Sequence, residues 1–61
     1  MTGKEVISRL KAAGWKIERI HGSHHIMTKG GRAVPVPVHG AREIGAGLLA
    51  AIQRQSDVKL K

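Results

Sequence analysis

The residues best able to do chemistry crowd into one pentapeptide. His21-Gly22-Ser23-His24-His25 holds three of the four histidines of a 61-residue chain that has no cysteine, tyrosine or phenylalanine. Imidazole ligates metals, moves protons near neutral pH and decorates turns, so spacing has to decide among these. A zinc site needs three or four ligands converging on the ion at about 2 Å. Adjacent residues of a strand point to opposite faces, which sends His24 and His25 apart, and Gly22-Ser23 separates both from His21. The pattern argues against a metal and leaves proton transfer or a solvated turn. The acids argue the same way: Glu5, Glu18, Glu43 and Asp57 are spread along the chain, whereas two-metal phosphoryl chemistry needs clustered carboxylates. No metal and no other cofactor is expected.

The elements that must position these side chains can be read from punctuation. Thr2 followed three residues later by Glu5 is a capping box, and Val6, Ile7, Leu10 and Ala13 recur at helical spacing, so a first helix is predicted over residues 3–13. Gly14 ends it as a left-handed cap. Residues 15–21 read as a short strand, Gly22-Ser23 as a tight turn, residues 24–29 as the hairpin partner and Gly30-Gly31 as a second turn of the same kind. A third strand covers residues 32–38, where Val34, Val36 and Val38 alternate with Pro35 and Pro37. Proline cannot donate to a ladder, so this strand or its end belongs at a sheet edge. Residues 40–45 form a loop, and Leu48, Leu49 and Ile52 mark the stripe of a second helix ending near Gln55. The charged tail 57–61 has room for a short fourth strand. The result is an α+β fold of order α-β-β-β-α, with a three-stranded antiparallel sheet and both helices on one face, the only way to bury both apolar stripes in one core. The other face is left to solvent and ligand.

Residues 1–61 make a single domain, near the lower limit at which a core stabilises itself, and should bury only about 60% of the unfolded surface. A chain this small cannot enclose a dinucleotide or a haem. With no cysteine, no signal-like apolar run and no stretch approaching the ~20 apolar residues of a membrane span, a cytoplasmic protein with no membrane partner is expected. Eleven Lys and Arg against four Asp and Glu leave a net charge of +7, a field that favours polyanions, nucleic acid first. The basic residues are scattered instead of forming one face of a bulky amphipathic helix, which disfavours a membrane surface.

Three stretches together, "AAGWKIERIHGSHHIM", "VPVPVHG" and "EIGAGLLAAIQRQ", resemble the HicA, or YcfA-like, toxin family, small bacterial mRNA interferases with a fold like the double-stranded RNA-binding domain. The resemblance runs from Lys4 to about Ser56. Its most specific elements are Gly14-Trp15, Arg19, Gly22-Ser23-His24 and Val36-Pro37-Val38-His39. Two positions depart from the pattern: Gly47 stands where a Thr is common, and Ser56 where a Gly often follows the second helix. The resemblance implies a toxin of a type II toxin-antitoxin system, an endoribonuclease acting on messenger RNA and neutralised by a HicB-like antitoxin. It also implies that the His of Gly-Ser-His, here His24, is catalytic.

Elementary chemistry agrees with that placement. Metal-free RNA cleavage removes a proton from the ribose 2′-hydroxyl and supplies one to the leaving 5′-oxygen, and imidazole can do either. RNA contacts are expected from Arg19, Gly22, Ser23, Lys29 and Arg32: cations for the phosphate, a bare Gly22 for close approach, and a Ser23 hydroxyl or N–H for phosphate oxygens. His25, aimed at the other face, reads as a supporting residue. His21, across the turn, reads as solvated or as a phosphate contact. His39 either orients the following loop or shares in catalysis. Trp15, the only aromatic, reads as core, so RNA binding would lack stacking platforms and depend on phosphate contacts. The competing reading is a non-catalytic RNA-binding module of the same fold.

Overall fold

A computed structural model describes residues 1–60. Its elements are α1 (Gly3–Ala12), β1 (Lys16–His21), β2 (His24–Lys29), β3 (Arg32–Pro37) and α2 (Ala46–Ser56), the predicted α-β-β-β-α order. The strands form one antiparallel sheet in the order β1-β2-β3. Residues 57–60 add no fourth strand, and residue 61 lies outside the described residues.

α1 begins as the capping box requires. The Thr2 side chain accepts from the Glu5 N–H, and the Glu5 carboxylate accepts from the Thr2 N–H at 2.8 Å. That backbone donor, with help from the Thr2 hydroxyl, holds the Glu5 carboxyl below its usual pKa. At the other end the Trp15 N–H bonds the Leu10 carbonyl and the Gly14 N–H that of Lys11, a Schellman motif with Gly14 in the left-handed position. This is why β1 starts at Lys16, one residue later than predicted. Trp15 belongs to the helix end and turns into the core, where it is 3% exposed. α2 runs one residue past Gln55, because Ser56 closes its hydroxyl onto the Ile52 carbonyl and Asp57 takes the left-handed position usually given to glycine.

Val6, Ile7 and Leu10 of α1, Leu49 and Ile52 of α2, and Met27, Val34 and Val36 of the sheet share one cluster with Trp15, Ile44 and Leu60. Both helices therefore cover the same sheet face, and each fully buried Val or Leu contributes about 1.5–3 kcal/mol of transfer free energy. β3 lies at an edge, as its prolines demand. Val38, in step with Val34 and Val36, donates to the Ser23 carbonyl at 2.7 Å. Pro35 and Pro37, of the other parity, fall where an edge strand points its N–H groups away from the ladder.

β1 carries one irregularity that the sequence does not announce. Ile17 pairs with Met27, Arg19 with Ile26, Ile20 with His25 and His21 with His24, so Glu18 is an inserted residue, a β-bulge. Strict alternation from the core-facing Ile17 would carry Arg19 and His21 to the helix side. The bulge reverses that parity and sends both to the open face.

Candidate active site

The open face of the sheet is built of cross-strand rows. His21, His24 and Pro37 form the row nearest the first turn; Arg19, Ile26 and Pro35 form the next; Lys16, Thr28 and Ala33 the third. These rows hold two imidazoles and two cations and no carboxylate. His21, His24 and Arg19 are exposed, and neither imidazole makes a hydrogen bond or ion pair to any described residue. Both nitrogens of each ring are thus open to a ligand.

The turn that joins the two histidines is held from below. Gly22 has φ +59°, the sign a two-residue hairpin of this kind needs at its first central position, and space around it is open: a Cβ there would meet nothing within 4 Å. The Ser23 carbonyl accepts the Val38 N–H, tying the turn to the end of β3. His39 follows directly and is exposed. With Pro37, Arg42 and Leu48 it lines a cleft of about 240 Å³ beside the histidine row. Arg42 was not among the residues singled out from the sequence. Only the reversal in which its N–H bonds the His39 carbonyl brings it there.

His25 lies on the opposite face, paired with the buried Val36, and its Nδ1 is buried without a partner. Two expected RNA contacts also point to the helix side. The Lys29 ammonium donates to the Ala13 carbonyl at 2.6 Å, serving as a cation at the α1 C-terminus. Arg32 donates to the Gln55 carbonyl, meets Asp57 at 3.3 Å and lies over the Trp15 ring at 5.9 Å. The structure thus brings Arg19, Gly22, Ser23 and His24 together and leaves Lys29 and Arg32 at the far end of the hairpins. Among the described residues no group of three His, Asp or Glu side chains could hold a metal ion, and no helix is long and apolar enough to cross a membrane.

Such a surface can bind a phosphodiester through Arg19 and the bare turn, and move protons through imidazole. Comparison with known proteins points the same way. A protein of Pseudomonas fluorescens (strain Pf0-1) named "Probable mRNA interferase HicA" is 38% identical over 50 residues, covering 82% of this chain and 83% of that one. No solved structure matches the chain. The family model described as the HicA toxin of bacterial toxin-antitoxin matches residues 3–58, nearly the whole described fold, and the chain belongs to the HicA toxin family.

Proposed function

We propose that this protein is a metal-independent endoribonuclease that cleaves messenger RNA in the cytoplasm, with His24 as the catalytic imidazole and a HicB-like antitoxin as its inhibitor. The observation that carries the reading is the row His21–His24–Pro37 on the open sheet face, with Arg19 in the next row. His24, neutral, takes the proton from a ribose 2′-hydroxyl, and the oxygen attacks the adjacent phosphorus. Arg19 offers a planar fork to the non-bridging oxygens as charge grows on them. Gly22 lets the phosphate approach the backbone, and Ser23 supplies a hydroxyl. Lys29 and Arg32, engaged on the helix side, act on RNA through the basic field. The Pseudomonas relative's name and the family match support the substrate class, and the absence of a ligand cluster among the described residues supports metal independence.

Inhibition follows from the same face. A HicB-like partner carrying an acidic surface would mask it, so its binding should compete with RNA.

The test is cleavage of RNA by the purified chain, free of antitoxin and in the presence of chelator, beside His24→Ala. The expected result is cleavage by the parent protein and a loss of about 10²–10⁴-fold in the variant, the usual share of general acid–base catalysis, with circular dichroism unchanged. RNA binding without cleavage by the parent would instead make the protein a binding module. Activity abolished by chelator and restored by one metal ion would overturn metal independence.

A further inference from the structure

His24 can carry only one of the two proton transfers in a given turnover, and the sheet register supplies a residue for the other. We propose that His21 is the general acid: it protonates the leaving 5′-oxygen while His24 takes the 2′-hydroxyl proton. The inference rests on the assignment of His24 above.

His21 and His24 are the closing pair of the β1–β2 hairpin. Directly opposed residues on one face of an antiparallel pair hold their Cβ atoms about 4.5–5.5 Å apart. The two-residue turn Gly22-Ser23 pins that register, and the hydrogen bond from Val38 to the Ser23 carbonyl at 2.7 Å fixes the turn to β3. In an in-line displacement the attacking and leaving oxygens lie on opposite sides of phosphorus, and each must come within about 3 Å of its acid or base. Two free imidazoles standing side by side can straddle such a phosphate, with Arg19 in the adjacent row to meet its non-bridging oxygens. The other candidates fail on position. His25 faces Val36 and the core. His39 lies two residues beyond Pro37, the last residue of β3, so no strand pairing holds it opposite His24. The one carboxylate beside these rows, Glu18, lines the surface with Lys16, Thr28 and Ala33, at the other end of the hairpin from the His21–His24 row. The placement of His21 also depends on the bulge at Glu18: in an unbulged strand of the same sequence, alternation from Ile17 would turn the ring toward the helices.

The step balances without a co-reactant. The 2′-O–H proton passes to neutral His24 as the 2′-O–P bond forms, and the P–O5′ bond breaks as the His21 imidazolium gives its proton to O5′. The products are a 2′,3′-cyclic phosphate and a free 5′-hydroxyl. Proton exchange with water then resets both rings, which their exposure permits.

The experiment compares two oligoribonucleotides at a site the parent protein cleaves, one natural and one carrying sulfur in place of the bridging 5′-oxygen. A thiolate leaves without protonation, so the second substrate needs no acid. His21→Ala should cleave the natural substrate about 10²–10⁴-fold more slowly and the sulfur substrate at nearly the parent rate, whereas His24→Ala should be slow on both. A His21→Ala protein as fast as the parent on the natural substrate overturns the inference. So does one equally slow on both substrates, since a ring needed only for binding or packing is not rescued by a better leaving group. Rescue of His24→Ala in place of His21→Ala also overturns it. None of these results touches the assignment of an endoribonuclease, which fails separately if the parent protein leaves the natural substrate intact.

Discussion

Neighbouring histidines with the same side chain have opposite employments here because a strand alternates. His24 stands free on the open face, while His25 turns its ring under the sheet, paired with Val36, and leaves Nδ1 buried without a partner. The sequence made this separation legible, since strand periodicity alone distinguishes the two. What it left hidden is the state of each ring, which depends on neighbours remote in the chain. A buried, unpaired polar atom costs about 1–3 kcal/mol of desolvation. His25→Leu, which removes the atom and keeps most of the apolar contact, is therefore expected to raise the urea midpoint by about 1 kcal/mol of stability and to leave cleavage within a small factor of the parent. Equilibrium unfolding and an RNA cleavage assay on one preparation check both halves, and a destabilised but active variant would show that Nδ1 has a partner in solution. Lys29 and Arg32 teach a related lesson. As basic residues flanking a turn they read as phosphate contacts, but their partners, Ala13 and Asp57, lie 16 and 25 residues away, a distance over which sequence pattern says nothing about pairing.

At the scale of elements, start and stop signals were local chemistry and could be read. The capping box, the Gly14 cap, the two hairpin turns and the proline-bearing edge strand all stand where their residue types require. The bulge could not be read, because Lys16-Ile17-Glu18-Arg19-Ile20-His21 contains no glycine or other marker of an inserted residue, and its existence is a matter of register against β2. It makes an unusual expectation. Deleting a residue from a strand normally turns everything beyond it to the other face. Deleting Glu18 should instead leave a regular ladder, with Arg19 still opposite Ile26 and His21 still opposite His24. Deleting Arg19 gives the same backbone but places Glu18 opposite Ile26. Both proteins are expected to fold, by circular dichroism and a cooperative thermal transition. Cleavage should survive in the first and fall steeply in the second, where a carboxylate replaces the guanidinium proposed to meet the phosphate. Loss of folding in the first would mean that the bulge itself stabilises β1. A second expectation concerns Gly3, in the first turn of α1. A Cβ there would stand 2.3 Å from the Pro37 carbonyl oxygen. Helix propensity favours Gly3→Ala, but the contact is with backbone that cannot step aside, so a net loss of about 1–3 kcal/mol in unfolding free energy is expected.

Over the whole molecule the acids are mostly committed while the cations are spread. Three of its four acids are committed to contacts that hold the helix side and the rim together: Glu5 on Thr2, Glu43 on the Met1 ammonium at 2.6 Å, and Asp57 on Arg32. The open-face rows keep Lys16, Arg19 and two imidazoles, but Lys4, Arg9, Lys11 and Arg54 stand on the helices, so the net charge of +7 surrounds the molecule. Trp15 is buried, as its place after the first helix suggested, and with no Tyr or Phe in the chain no large aromatic ring is left for a base to stack on. Binding of single-stranded RNA should then be carried by phosphates, with the logarithm of affinity falling linearly against the logarithm of salt concentration at about 0.7 per phosphate neutralised. The His24→Ala protein, expected to be inactive, allows this to be measured by fluorescence anisotropy without cleavage. On that background Arg19→Ala is expected to flatten the slope by about 0.7, one lost phosphate contact. Lys29→Ala, whose ammonium sits on the Ala13 carbonyl, should lower stability slightly and leave the slope nearly as it was. If the two substitutions flattened it equally, the RNA would have to extend from the His21–His24 row along the hairpin to the Gly30-Gly31 turn, and Lys29 would have to leave the helix end to meet it.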